Sequence, residues 1–84
     1  MPTSGRAAKT WVVRSPEDLG RALAGVRKAR GIKQAALAED IGVYRSYLAK
    51  LESGAASPLV IVRVLRALRQ SGATVLVTLD ERDA

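Results

Sequence analysis

Gln34, Arg45, Ser46 and Lys50 are the side chains of this 84-residue chain whose types and spacing suggest chemistry. That chemistry is hydrogen bonding rather than bond making. Arg and Lys are fixed cationic donors, Gln offers a donor and an acceptor, and the Ser hydroxyl does both. All four fall within residues 34–54, QAALAEDIGVYRSYLAKLESG, on a face that a folded core would not need to furnish with such a set. The chain contains no His and no Cys. The usual general base, the commonest metal ligand, thiolate sites and disulfides are therefore missing. A hydrolytic or metal-dependent enzyme is not expected, and neither is a cofactor.

The elements that must position these side chains can be read from the apolar residues between them. Leu37 and Ile41 stand at i, i+4, and Leu48 and Leu51 at i, i+3, each pair on one face of a short helix. Ala38 is small where two helix backbones would approach closely. Gly42 follows Ile41, where a helix end favours a residue tolerant of positive φ. The spacing predicts helices over about Gln34–Ile41 and Arg45–Ser53, with Gly54 ending the second. Helix, Gly turn, helix is the arrangement that lays a second helix in a DNA major groove.

Upstream, Ser15, Pro16, Glu17 and Asp18 form a helix-start signal, and Leu19, Ala22, Leu23 and Val26 give a helical stripe. A first helix is predicted from about Pro16 to Arg30. Downstream, Ser57 and Pro58 repeat the N-cap and first-position pattern ahead of LVIVRVLRALRQ, residues 59–70, with Leu65 and Leu68 expected inside. Arg63, Arg66 and Arg69 occupy another face, read as solvated first and as a partner surface second. Thr74, Val75, Leu76, Val77, Thr78 and Leu79 are dense enough in β-branched residues to form a strand. A lone strand leaves unpaired backbone groups. The same strand of a second subunit across a two-fold axis is the preferred partner, and Trp11–Val13 the runner-up.

The expected fold is thus mainly α, with four to five helices and a C-terminal strand pairing across a homodimer. Residues 1–14 form an N-terminal arm with a possible short strand, 15–72 a helix-turn-helix domain, and 73–84 a dimerisation strand and acidic tail. Residues 1–9 lack periodicity and read as disordered. No apolar run approaches the roughly 20 residues that span a bilayer, and the start lacks a signal-peptide core, so a cytoplasmic location is expected.

The formal charge is +6. It divides into +3 over residues 1–14, +5 over 15–71 and −2 over 72–84. A basic body suits a polyanion, whose neutralised phosphates release counterions. Ten Arg against four Lys, with fourteen Ala, equally suit a GC-rich genome. Charge alone leaves both readings open.

From Ser15 to Gly72 the sequence resembles the Cro and phage-repressor (Xre) type of helix-turn-helix domain. The residues that carry the likeness are Gln34, Leu37-Ala38, Ile41-Gly42-Val43, Ser46, Leu48, Leu51-Glu52, Gly54 and Ser57-Pro58. Within that type it is most similar to HipB-type antitoxins, through SPEDLGRAL near the start and the closing TVLVTL strand, which that family uses for dimerisation.

The resemblance implies a DNA-facing set of Lys33, Gln34, Tyr44, Arg45, Ser46, Ala49, Lys50 and Ser57. Gln34 would hold a phosphate at a helix N-terminus, with Lys33 adding a second contact. Arg45 would read guanine O6 and N7 with its fork, Ser46 would bond a base or a phosphate, and Lys50 would reach either a guanine or the backbone. Tyr44 replaces the family's usual Ser or Thr N-cap, and its hydroxyl can touch phosphate. Ala49 stands where many members have a polar reader, so its contact shrinks to a thymine methyl and DNA shape gains weight. Tyr47 is read as shielding the core edge. Glu52 is implied to pair with Arg27, tying the recognition helix to the domain body.

Three functions follow. The first is a homodimeric repressor on a pseudo-palindromic operator, serving as antitoxin to a HipA-like kinase toxin in a toxin–antitoxin operon. The second is a stand-alone phage- or stress-type repressor without a toxin. The third is an interaction module that has lost DNA binding, for which Ala49 and Tyr44 are the support.

Overall fold

A computed structural model describes residues 7–80. The expected arm up to residue 6 and the acidic tail from residue 81 lie outside the described residues. The order of elements is β1 (Ala7–Val13), α1 (Pro16–Ala29), α2 (Gln34–Ile41), α3 (Arg45–Ser53), α4 (Leu59–Gln70) and β2 (Val75–Asp80).

The start of α1 is set by reciprocal side-chain bonds. The Ser15 Oγ accepts from the Asp18 backbone N–H at 3.1 Å, and the Asp18 carboxylate accepts from the Arg14 N–H at 2.9 Å. Such a cap satisfies N–H groups that a helix leaves without internal partners. Ala22 of the expected stripe is fully buried, while Leu19, Leu23 and Val26 are half-buried around it.

The C-terminal strand requires a correction. Instead of a second subunit, β2 pairs with β1 of the same chain, antiparallel, with Trp11 opposite Val77 and Val13 opposite Val75. β1 is seven residues long rather than the three of the Trp11–Val13 run. Ala7, Ala8, Lys9 and Thr10 extend it, so residues 7–9, read as disordered, are strand; their small and polar types hid that length from an apolar pattern. Trp11, Val13, Val75, Val77 and Leu79 turn toward the helices, and Thr10, Val12, Leu76 and Thr78 turn outward and are exposed. Thr74 precedes the strand rather than belonging to it.

Val13, Ala22 and Leu65 form the centre of the core, packed by Trp11, Leu19, Ile61, Val75 and Val77. Arginines fasten its edges. Arg69 donates to the Arg14 carbonyl at 2.8 Å, and Arg30 donates to the Asp80 carbonyl. Arg63, Arg66 and Arg69 are all exposed, and Arg69 in addition reaches across the surface to the strand end.

Three further expectations are revised. Ser57 does not cap α4: Pro58 holds the N-cap position with ψ 133°, extended backbone that delays the helix to Leu59. Ile41 is 49% exposed, because α2 ends there and the chain turns away. Leu68 is 38% exposed, on a side of α4 that β1 and β2 do not cover.

Candidate nucleic-acid interface

The connection between α2 and α3 is three residues long. Gly42 occupies the left-handed region at φ +78°, ψ 34°, a conformation that L side chains rarely adopt. Its N–H returns to the end of α2, and the Val43 N–H donates to the Ala38 carbonyl at 3.0 Å. Ala38 and Leu48 beneath this turn are buried, so the two helices are fixed against each other.

Both helices start without a side-chain cap: Lys33 and Tyr44 hold the N-cap positions and neither side chain bonds the first turn. Helix N-termini left in this state favour anions, through free N–H groups and the helix dipole. Tyr44 is 84% exposed, with its ring directed away from the core. Arg45, Ser46 and Lys50 are exposed along α3, and Ala49 is half-buried between them. Lys33 is exposed beside the half-buried Gln34. Ser57 is exposed in the link before α4. Tyr47 is 40% exposed and covers the core edge only in part.

Behind this surface lies a polar network. Arg27 of α1 grips Glu52 of α3 with two bonds, Nε to Oε2 at 2.7 Å and Nη2 to Oε1 at 3.0 Å. Arg27 Nη1 also donates to the Ile32 carbonyl at 2.8 Å. Gln34 Nε2 donates to Glu52 Oε1 at 3.0 Å, and Arg45 Nη1 donates to Gln34 Oε1 at 3.3 Å. Glu52 is only 8% exposed. The Arg27 guanidinium holds its carboxyl below the usual range, against the opposing effect of burial and with further help from Gln34. Arg27 is in turn held above its ordinary value, chiefly by the bond to Glu52.

The two bonds of Gln34 were not legible in the sequence. They join residues 18 and 11 positions apart, from the first turn of α2 to the two ends of α3. Helical periodicity reports neighbours three or four apart and carries no signal at such separations.

A family model described as a helix-turn-helix domain matches residues 18–76. The match begins in the first turn of α1 and ends in β2, taking in the whole α2–turn–α3 unit.

The chain belongs to the helix-turn-helix domain family.

No curated protein and no solved structure gives a match. As a helix-turn-helix domain the chain is a DNA-binding regulator. The domain's apolar cleft, about 230 Å³ between α1, α3 and α4, is lined by Pro16, Leu19, Gly20, Leu23, Leu51, Ala56, Pro58 and Ile61. That lining offers no polar side chain to orient a ligand. On α3, by contrast, Arg45, Ser46 and Lys50 are exposed polar side chains. Among the described residues no group of three or more acidic, His or Cys side chains is placed to hold a metal ion. Among the same residues no helix is long and apolar enough to cross a membrane.

Proposed function

We propose that this protein is a sequence-specific transcriptional repressor that binds a pseudo-palindromic operator as a homodimer and acts as the antitoxin of a HipA-like kinase toxin. One observation carries the DNA-binding part. Arg45, Ser46 and Lys50 stand exposed on α3, immediately beyond the Gly42 turn that joins it to α2. The DNA-facing residues are Lys33, Gln34, Tyr44, Arg45, Ser46, Ala49 and Lys50. Ser57, exposed outside α4, would contribute a backbone contact. Two recognition helices would enter successive major grooves about 34 Å apart.

The homodimer is supported by apolar surface that the single chain leaves uncovered. Val60, Val64 and Leu68 repeat every four residues along α4, at 66%, 50% and 38% exposure. A second copy on this stripe would bury it, with no need for β2 to pair between subunits. The antitoxin role rests on the likeness of SPEDLGRAL and of the closing strand to HipB-type chains. A stand-alone repressor is the alternative, with the same DNA chemistry and no protein client.

A reporter driven by the protein's own upstream promoter tests the repressor, and co-expression with the adjacent gene tests the antitoxin. Repression together with rescue from a toxic neighbour supports the full proposal. Repression beside a harmless neighbour supports the stand-alone repressor, and neither effect would reject both.

A further inference from the structure

We propose that the cavity between the end of α4 and the neighbouring end of the sheet binds a small organic acid with an apolar body, of the size of an aromatic or branched-chain carboxylate. The proposal stands apart from the DNA-binding reading, and its test contains no DNA.

Two chain reversals set the walls. At the end of α4, Gly72 takes the left-handed region at φ +83°, and the Ala73 N–H returns to the Leu68 carbonyl at 2.9 Å. On the other side, β1 ends with Val13 opposite Val75, and Arg14 leads on to the Ser15 cap of α1. The space between them is about 230 Å³. Val13 and Leu65, both buried, and the half-buried Val75 supply its apolar wall. Arg14, Arg69 and Thr74 supply its polar part and are exposed.

The two guanidinium groups at this cavity have no carboxylate partner. Among the described residues the ion pairs are Arg21 with Asp18 and Arg27 with Glu52, and no acidic side chain lines the cavity. Asp18, which the Arg14 backbone N–H meets at 2.9 Å, is engaged by Arg21 Nη1 at 3.0 Å. Arg69 is held from one side, because its Nη1 donates to the Arg14 carbonyl at 2.8 Å. A carbonyl carries no net charge, so this bond leaves the cation uncompensated.

Two cations beside a buried apolar wall favour an occupant with both characters. A neutral hydrocarbon would strip water from the guanidinium groups and give nothing back. A phosphate would leave the apolar wall uncovered. A carboxylate on a ring or a branched chain answers both, through the charge-assisted bonds that Arg makes with carboxylates. An apolar cavity of about 150 Å³ holds benzene, and drug-sized ligands fill about 300 Å³ or more. About 230 Å³ therefore suits one ring or a short branched chain with its acid group. Such an occupant would brace α4 against both strands, and α4 is the helix that carries the exposed Val60, Val64 and Leu68 stripe.

The test is an NMR titration of the isotope-labelled full chain, near physiological salt, with benzoate, benzyl alcohol, acetate and inorganic phosphate. Benzoate should give saturable shifts at the Val13, Thr74 and Val75 amides, with a Kd at least about tenfold below those of the other three. Benzyl alcohol keeps the ring without the charge, and acetate keeps the charge without the ring. Either one binding as tightly as benzoate would overturn the proposal. Phosphate binding as tightly would make this a general anion surface and overturn it too, as would benzoate shifts that do not saturate. Arg14→Gln removes one guanidinium and keeps the backbone carbonyl that Arg69 holds, so the fold should persist. Benzoate should bind this variant roughly tenfold more weakly or worse. Unchanged affinity would contradict the assignment.

Discussion

Gly20 of α1 lies so close to Leu51 of α3 that an added Cβ would stand 1.9 Å from the Leu51 carbonyl oxygen. α3 is therefore seated directly on the backbone of α1, with its own Leu48 fully buried. Arg27 and Glu52 join the same two helices, 2.7 Å apart. The orientation of α3 is fixed by a backbone approach that only Gly permits and by an ion pair.

Gly20→Ala should therefore be far worse than a Gly-to-Ala change in an ordinary helix, where Ala is favoured. The obstacle is backbone, which cannot swing aside as a side chain can. Overpacking of this kind costs about 3 kcal/mol, and a urea denaturation curve would measure it. A variant as stable as the parent would show that α1 and α3 can separate freely.

Glu52→Ala leaves Arg27, at 11% side-chain exposure, facing a vacated site. Breaking a semi-buried pair by removing one partner costs about 3 kcal/mol. The melting temperature should fall clearly. An unchanged melt would mean that the pair contributes nothing to holding α3.

The same carboxylate makes stability depend on pH. Its folded pKa lies below the ordinary value of 4.5, because Arg27 and Gln34 stabilise the ionised form. Below 4.5 the unfolded chain takes up a proton that the folded chain still refuses. Stability from this group is complete above that value and is lost as pH falls toward and through the depressed folded pKa. Denaturation midpoints should decline over that acidic window, and Glu52→Gln should flatten this part of the decline. A Glu52→Gln profile parallel to the parent's would assign the acid sensitivity elsewhere.

Arg45→Ala should weaken operator binding by about 1–3 kcal/mol and relax the preference at one base position. Arg45 is exposed, so the fold should be unaffected. Full operator affinity in this variant would move the base reader to another residue of α3.

Val64→Glu tests the proposed contact between copies. The side chain is 50% exposed in the single chain, so a charge there is tolerated by the fold. Sedimentation should show a dimer for the parent and a monomer for the variant. Equal sedimentation would place the dimer contact away from α4.

What the sequence made legible was whatever obeys a local rule. Helix periodicity located α2 and α3 at the residues observed, and Gly42 marked their turn by its tolerance of positive φ. Two kinds of feature escaped. One was long-range pairing: β1 lies about 65 residues from β2, and its polar Lys9 and Thr10 concealed a strand that completes the sheet within one chain. The other was the division of an apolar helix surface between interior and solvent. Leu65 and Leu68 lie three residues apart on α4, yet one is buried and the other is not. Only the position of neighbouring elements decides that. The Gln34 bonds belong to the first kind, since tertiary packing brings their partners together.

The most direct measurement is fluorescence anisotropy of the purified protein, near physiological salt, on its own upstream promoter and on a scrambled duplex of equal length. A preference of roughly 10³-fold or more for the native duplex is expected. Equal, weak and steeply salt-dependent binding to both would reduce the interaction to its phosphate component. That result would contradict a sequence-reading role for α3.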